Sequence, residues 1–292
     1  MTRLLLARGH RVVACDDFSI GTWREADARL TWEDLDVASA HAVERLSRHA
    51  VDVVVHCAAH PGGRSNAEPT ADVRVNGLGS MQVFEWCARH RIPVVYLSSS
   101  AVYGEQPAGP IPESASPSPG TIYAVCKVAC ENFLRVLEAE YGLEWTVLRL
   151  FATYGAGHRP STAQGIVNVL LTQLLAGNRV VVRGSLKRVR DLTYVDDVAE
   201  AIVTCLGESR ARGRVLNVGS GVGTTIGEMI DGLCDVLGRD RLALEIEEQP
   251  GTSGDPRYSV ADVRAFSEVT SFAARVRVDE GLARLVASRM GR

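Results

Sequence analysis

The feature that most constrains this chain is a recurrence of short, almost unbroken apolar runs separated by segments of helix length. Residues 11–16 (RVVACD), 52–59 (DVVVHCAA), 93–99 (PVVYLSS) and 145–151 (WTVLRLF) do not alternate polar with apolar. Each therefore reads as a strand covered on both faces rather than one wetted on one side. Residues 29–34 form a weaker strand of the same set, and 38–49, 69–90 and 121–141 carry helical patterns between them. Buried strands joined by helices long enough for crossovers form a parallel sheet. The right-handed rule for such crossovers makes it doubly wound.

After about residue 155 the rhythm changes to helices near 166–176, 195–206 and 225–237 with short strands near 180–182 and 214–218. The expected organisation is a first domain over 1–155 and a smaller, mixed, mainly substrate-binding lobe over 156–292, with some segments of the second half returning to the first. The proline-rich run 107–119 is expected to be an ordered loop over a site. With 292 residues, 46% hydrophobic and 23% charged, the chain is ordinary globular material. A formal charge of -3 advertises neither nucleic acid nor an anionic membrane surface. No apolar stretch approaches the ~20 residues of a membrane span, and residues 1–10 have too short an apolar core for a signal peptide. A cytoplasmic protein is expected. Cys15, Cys57, Cys87, Cys126, Cys130, Cys205 and Cys234 sit mostly in apolar runs without a Cys-x-x-Cys pair, so buried free thiols are expected. His56 and His60 flank a strand end, but no carboxylate is spaced to join them, and no metal site is expected.

The strongest local chemical signal is Tyr123-Ala124-Val125-Cys126-Lys127. A spacing of four puts phenol and ammonium on one helix face, where the cation favours the phenolate needed for proton transfer at neutral pH. Only Lys127 and Lys187 are lysines in a chain that otherwise uses arginine, which suggests that a compact, rotatable ammonium is required. Ser98-Ser99-Ser100 follows an apolar strand. Hydroxyls there face the crevice in which doubly wound sheets hold ligands, although serines after a strand also make ordinary turns. Asp196-Asp197 opens a helix and reads as N-terminal capping.

Taken in order, Asp16-Asp17-Phe18-Ser19, Asp34-Leu35, His56-Cys57-Ala58-Ala59, Asn76-Gly77-Leu78-Gly79-Ser80, Ser98-Ser99, Val102-Tyr103-Gly104, Pro110-Ile111-Pro112-Glu113, Tyr123-x-x-x-Lys127, Leu148-Arg149-Leu150-Phe151, Arg190-Asp191 and Tyr194-Val195-Asp196-Asp197-Val198 resemble the extended short-chain dehydrogenase/reductase family. More narrowly, they resemble its NAD-dependent nucleotide-sugar epimerases and dehydratases. The resemblance spans nearly the whole chain and implies a Rossmann-like fold. It also implies roles. Asp16, with Asp17 beside it, would take the adenosine ribose and disfavour NADP. Asp34 and Leu35 would flank the adenine, and Ala58 and Ala59 would let the cofactor backbone approach. Tyr123 would be the catalytic base, Lys127 would hold the nicotinamide ribose, Ser99 would assist at the sugar hydroxyl, and Phe151 would line the nicotinamide pocket. Arg190 would pair with a substrate phosphate, and Ser99 and Ser100 would lie on the substrate side. The reaction implied moves a hydride from a sugar carbon to NAD and returns it. Dehydratases of this family place an acid pair where this chain has Ser100 and Ala101, so epimerisation is favoured over 4,6-dehydration. A homodimer through 69–90 and 121–141 is also implied.

The chain departs from the family pattern at its start. Residues 1–10 match only the last turns of the first family helix, without the preceding strand and its G-x-x-G-x-x-G loop. With ~4.8 Å between neighbouring strands, the expected consequence is a slot roughly 9.6 Å wide between the strands ending at Asp16 and Ala59. Either those strands close up, something fills the slot, or the sequence is an incomplete copy of a longer chain. Ala152 and Thr252 stand where the family usually has asparagine and arginine. Two main readings follow: an NAD-dependent nucleotide-sugar epimerase, or a relative with impaired cofactor binding acting as a non-redox catalyst, pseudoenzyme or binding partner. A plain carbonyl reductase is a third.

Overall fold

The apolar runs become the strands they predict, but in two separate pieces. The computed structural model describes residues 1–21, 23–62 and 67–291. A short helix α1 (Thr2–Ala7) turns through Gly9, at φ +87°, into β1 (Val12–Asp16), which pairs in parallel with β2 (Leu30–Asp34). Helix α2 (Ala42–Leu46) leads to β3 (Val54–His56). Next come α3 (Pro69–Asp72), a π-helical stretch Val73–Gly79 and α4 (Ser80–His90), stacked end to end where one helix was predicted. β4 (Val94–Ser99), α5 (Ile122–Tyr141) and β5 (Trp145–Leu150) complete the crossover series.

The second half interleaves with the first. β6 (Ala152–Tyr154), α6 (Ile166–Ala176), β7 (Arg179–Arg183), β8 (Val189–Tyr194) and α7 (Val195–Cys205) are followed by β9 (Arg214–Val218). Then come β10 (Gly223–Thr225), α8 (Ile226–Leu237), β11 (Glu245–Gln249), β12 (Tyr258–Ser259), α9 (Arg264–Thr270) and α10 (Val278–Met290). The main sheet is parallel in the order β3-β4-β5-β9, while β1-β2 stands apart as a two-stranded sheet. In the second half β8 is central, flanked by β10 and β12 and also pairing β6, and β7 pairs β11.

Apolar packing follows this layout. One cluster under α4 and α5 contains Phe84, Tyr96, Leu134 and Val147. A second, on the opposite sheet face, joins Val95 and Leu148 to α7, β9 and Phe266. A third holds α6, α8 and α10 around Leu170, Met229 and Leu282. Five of the cysteines are buried and free, but Cys15 is only half-buried and Cys57 is exposed. Cys57 directly follows β3, whose one described partner strand is β4. Among the described residues no helix is long and apolar enough to cross a membrane.

The predicted helix over 38–49 shortens to Ala42–Leu46. Asp36 takes over the preceding turn, accepting the Ala38 amide at 2.8 Å on its side chain and the Ser39 amide at 2.9 Å on its carbonyl, an aspartate turn that competes with the helix. Loop 107–119 is pinned where Ile111 donates its amide to Val260 (2.8 Å) and accepts from Asp262 (3.0 Å).

Candidate active site

Helix α5 starts where Thr121 accepts the Ala124 amide on its hydroxyl at 3.2 Å, a side-chain cap for an otherwise orphan donor. Tyr123 therefore lies in the first turn and Lys127 one turn later, on the face toward the sheet. Lys127 is buried, and its Nζ donates to the Leu97 carbonyl of β4 at 2.8 Å. The ammonium is 5.6 Å from the centre of the Tyr123 ring and 4.8 Å from that of Tyr96. An ammonium carries three donors, so this anchor leaves others to hold a ligand hydroxyl. Ser99 closes β4, and its hydroxyl accepts the Ala101 amide at 3.2 Å, capping a single tight turn, Ser100–Tyr103. Sequence reasoning had left the serines open between turn and site. Ser99 is such a cap, yet it is only partly buried, at the same strand end that Lys127 grips. Opposite, the loop after β3 crosses the phenol: a Cβ on Gly62 would meet Tyr123 ring carbon at 3.1 Å.

The strand ends on the other side of the crevice carry the expected cofactor residues. Asp16 and Asp34 are register partners at the ends of β1 and β2, both exposed, and Leu35 donates its amide to the Asp16 carbonyl at 2.9 Å. Asp16 accepts the amide of Phe18 at 2.7 Å, holding that residue at φ +51°. A bulky residue in the left-handed region is uncommon and marks a constrained turn. Asp17 is occupied locally, accepting from the Ser19 amide (3.0 Å) and hydroxyl (2.7 Å). Leu35 is buried, while Ala58 and Ala59 are partly buried after β3. An exposed carboxylate, Asp16, thus stands at the end of β1, and the Lys127–Tyr123–Ser99 group at the end of β4.

The substrate-side residues are more entangled than the sequence suggested. Arg190 is buried, donates to the Val189 carbonyl at 2.7 Å, and forms an ion pair with Asp255 that Arg188 shares. Burial pushes the Arg190 guanidinium below its ordinary value, against the opposing pull of Asp255. Any phosphate at Arg190 therefore competes with a carboxylate already in place. Phe151 is buried in a small cluster with Val102, Tyr103, Ile111 and Ala261, and Ser100 is partly buried just past Ser99. The loop carrying Gly254 touches the loop before α5: a Cβ on Gly120 would stand 2.7 Å from the Gly254 Cα.

Much of the recurring motif set is scaffolding. Glu131, one turn beyond Lys127, is paired with Arg149 (2.7 and 3.0 Å) and accepts the Ser98 hydroxyl at 2.6 Å, all buried. Tyr103 donates to Asn217 at 2.6 Å, and Glu113 accepts the Asn217 amide at 2.8 Å. Asp191, fully buried, accepts the Ser220 amide (2.7 Å) and hydroxyl (2.6 Å) and the amides of Gly221 (2.9 Å) and Ala261 (3.1 Å). The capping reading of Asp196-Asp197 is corrected: Asp197 accepts the amides of Arg275 and Val276 at 3.0 and 2.8 Å, tethering the segment before α10.

A second correction concerns the histidines. Asp72, at the end of α3, does reach one of them, at 2.9 Å from Nδ1 of His60, because the loop after β3 folds back over that helix. Asn76 clamps the same residue, accepting the His60 amide at 2.7 Å and donating to its carbonyl at 3.0 Å. This clasp fixes the loop that ends at Gly62 over Tyr123, and no sequence signal had singled it out. His56 instead bonds Ser80 (2.9 Å) in the core.

Comparison with known proteins bears on the family and the fold. The profile of the NAD dependent epimerase/dehydratase family matches residues 1–219. A UDP-glucose 4-epimerase of Mycolicibacterium smegmatis is 31% identical over 290 residues, 97% of this chain and 91% of that one. The crystal structure of a Thermotoga maritima UDP-glucose 4-epimerase with UDP-glucose superposes with a TM-score of 0.91 at 28% identity, covering 99% of this chain and 94% of that one. A Thermus thermophilus UDP-glucose 4-epimerase in complex with NAD gives 0.91 at 29% identity over the same shares.

Proposed function

Because the chain belongs to the NAD-dependent epimerase/dehydratase family, whose cofactor is NAD, we propose that it inverts a hydroxyl-bearing carbon of a nucleotide-linked sugar, with C4 of a UDP-hexose as the first candidate. The observation that carries this reading is the meeting of Ser99, Tyr123 and Lys127 at one strand end, with the ammonium 5.6 Å from the phenol ring. NAD, when bound, supplies the oxidant for the sugar carbon. Asp16 would hold its adenosine ribose with Asp17, Asp34, Leu35, Ala58 and Ala59 around it, Lys127 its second ribose, and Phe151 the wall of the ring pocket. Tyr123 takes the proton from the sugar hydroxyl and returns it after the face has changed, and Ser99 bonds that hydroxyl and keeps it aligned. Ser100 and Ala101 bring no carboxyl group to protonate a leaving hydroxyl, so loss of water has no acid to drive it. Arg190 exchanges Asp255 for a substrate phosphate, a substitution suited to a fork of donors.

The test is turnover of UDP-, GDP-, CDP- and dTDP-sugars by purified protein with NAD. Tyr123→Phe is expected to lower turnover by ~10²–10⁴, the range for removal of a general base, with an unchanged circular dichroism spectrum. Turnover within a factor of three of the parent in that variant would sink the assignment. The second reading, a relative with impaired cofactor binding, draws on the gap between β1 and β3. It requires no heat of NAD binding at millimolar cofactor and an activity indifferent to NAD.

The same reading includes a homodimer. Val73 and Leu78 on the helix before α4, and Val125 and Val136 on α5, are large apolar side chains about half exposed. A paired four-helix face would cover them. Light scattering is expected to give twice the 31.5 kDa chain mass, and a single 31.5 kDa species at micromolar concentration would remove the dimer.

A further inference from the structure

A buried ammonium needs something in place of water. Among the described residues no carboxylate is paired with Lys127, although its side chain is only 3% exposed. Glu131, one turn further along α5, is engaged by Arg149 and the Ser98 hydroxyl. One hydrogen bond, to the Leu97 carbonyl of β4 at 2.8 Å, offsets only part of the penalty for taking a charge out of water. We infer that Tyr96 supplies the missing share and is a positioning residue of the site: the face of its buried ring holds the Lys127 ammonium beside the Tyr123 phenol.

The geometry is that of a cation over aromatic faces. The ammonium stands 4.8 Å from the Tyr96 ring centre and 5.6 Å from that of Tyr123, both within the roughly 6 Å over which a ring quadrupole attracts a cation. The two rings differ in freedom. Tyr123, in the first turn of α5, is partly exposed, whereas Tyr96 is wholly buried in the middle of β4. Phe84 of α4 meets the Tyr96 ring edge-on at 5.2 Å, and His56 of β3 stacks on it at 5.8 Å, which fixes its plane. His56 brings no rival charge, because burial first and the ammonium second push its pKa down to about 3. In the sheet Tyr96 is the register partner of His56 and of Val147. An aliphatic side chain there would also bury its surface, but only an aromatic one adds a negative face.

Tyr96 and Leu97 are neighbours on one strand, so β4 grips the ammonium by two unlike contacts. The group is thereby placed one helical turn from Tyr123 before any ligand arrives. A weaker hold lets it shift away from the phenolate that it favours, and proton transfer slows. That effect on turnover rests on the epimerase reading above. The placement of the ammonium does not.

The test uses the full chain. Lys127 and Lys187 are its only lysines, and Lys187 is exposed, so labelling lysine at Cε gives two magnetic-resonance signals, one an internal reference. In the unliganded parent the ε-methylene protons of Lys127 are expected at higher field than those of Lys187, because they lie over ring faces. Tyr96→Phe is expected to keep that displacement, and Tyr96→Leu to lose the larger part of it. A graded series keeps the shape of the core: phenylalanine at position 96 carrying one, two and then three ring fluorines, which drain the negative face. Along it the Lys127 signal is expected to move stepwise toward that of Lys187. With an active sugar, kcat is expected to fall by about tenfold across the series, a size that fits a desolvated contact of this kind. KM is expected to stay within about threefold, since the contact serves the reacting state and not sugar binding. A ring that only fills space gives a flat series. A Lys127 signal that coincides with that of Lys187 in the parent, a signal unmoved by fluorination, or a kcat unmoved by it in an active parent would each overturn the role. If the parent turns over no sugar, the signal alone decides the placement, so failure of the epimerase reading is told apart from failure of this one.

Discussion

Glu131→Ala is expected to cost about 3–5 kcal/mol of stability, the usual penalty for leaving a buried partner charge uncompensated. The pair sits where water cannot replace it: both side chains are at most 3% exposed. Burial alone opposes the Arg149 charge, yet the carboxylate of Glu131, bonded to it twice, raises the guanidinium above its ordinary value. Removing the carboxylate also strands the Ser98 hydroxyl, which donates to it at 2.6 Å. Replacing both partners, as in Glu131→Leu with Arg149→Met, removes the charges together and is expected to recover most of the loss. Urea denaturation decides the matter, and a single-variant loss under about 1 kcal/mol would contradict it. The stable double variant also bears on function. Glu131 follows Lys127 on α5, and Ser98 precedes Ser99 on β4, so the pair sets how helix and strand meet at the site. Its loss is expected to lower turnover even where folding is restored, since a misplacement of ~1 Å can cost ~10²-fold.

This network also shows what the sequence could and could not convey. The α5 face was legible because the spacing of Tyr123 and Lys127 is a helical turn, and Thr121 and Gly142 punctuate its ends. The interior strands were legible because they are unbroken apolar runs. β8 was not, since VRDLTY carries Arg190 and Asp191 into a buried central strand. Their burial is made possible by partners far along the chain, Asp255 for one and the Ser220, Gly221 and Ala261 amides for the other. Such long-range pairings leave no periodic trace. The His60–Asp72–Asn76 clasp was hidden for a related reason: Asp72 and Asn76 share a face at a spacing of four, but the His60 they hold lies on the loop after β3, twelve and sixteen residues away, and helix spacing says nothing of that pairing. The strand partners of β1 and β3 are a plainer case: among the described residues β1 pairs β2 and β3 pairs β4, each joined to the neighbour that its own apolar run predicts.

Acidification is expected to destabilise the fold in a window set by His56. Its ring lies between Phe84 (5.3 Å, edge-on) and Tyr96 (5.8 Å, stacked), and Nε2 shares a proton with Ser80 at 2.9 Å. Burial first, and the Lys127 ammonium second, push its pKa down from 6.5 to about 3. The folded state therefore holds the ring neutral while the unfolded chain protonates it near 6.5. The resulting stability is fully present above pH 6.5 and drains as the pH falls toward 3. Each pH unit inside that window removes about 1.4 kcal/mol, so about 3 kcal/mol is gone by pH 4.5. Many carboxylates titrate at the lower end of the same range, which is why a difference measurement is needed. His56→Gln keeps a hydrogen-bonding group for Ser80 but cannot take up a proton. The stability advantage of the parent over this variant is expected to shrink by about 3 kcal/mol between pH 7.5 and 4.5, read from urea midpoints. A difference that stays constant with pH would show that the imidazole is not held neutral. Lys127→Met supplies the companion measurement: with the ammonium gone the folded ring takes up a proton more readily, so the loss attributable to His56 still begins near pH 6.5 but levels off at a higher pH and is smaller in total.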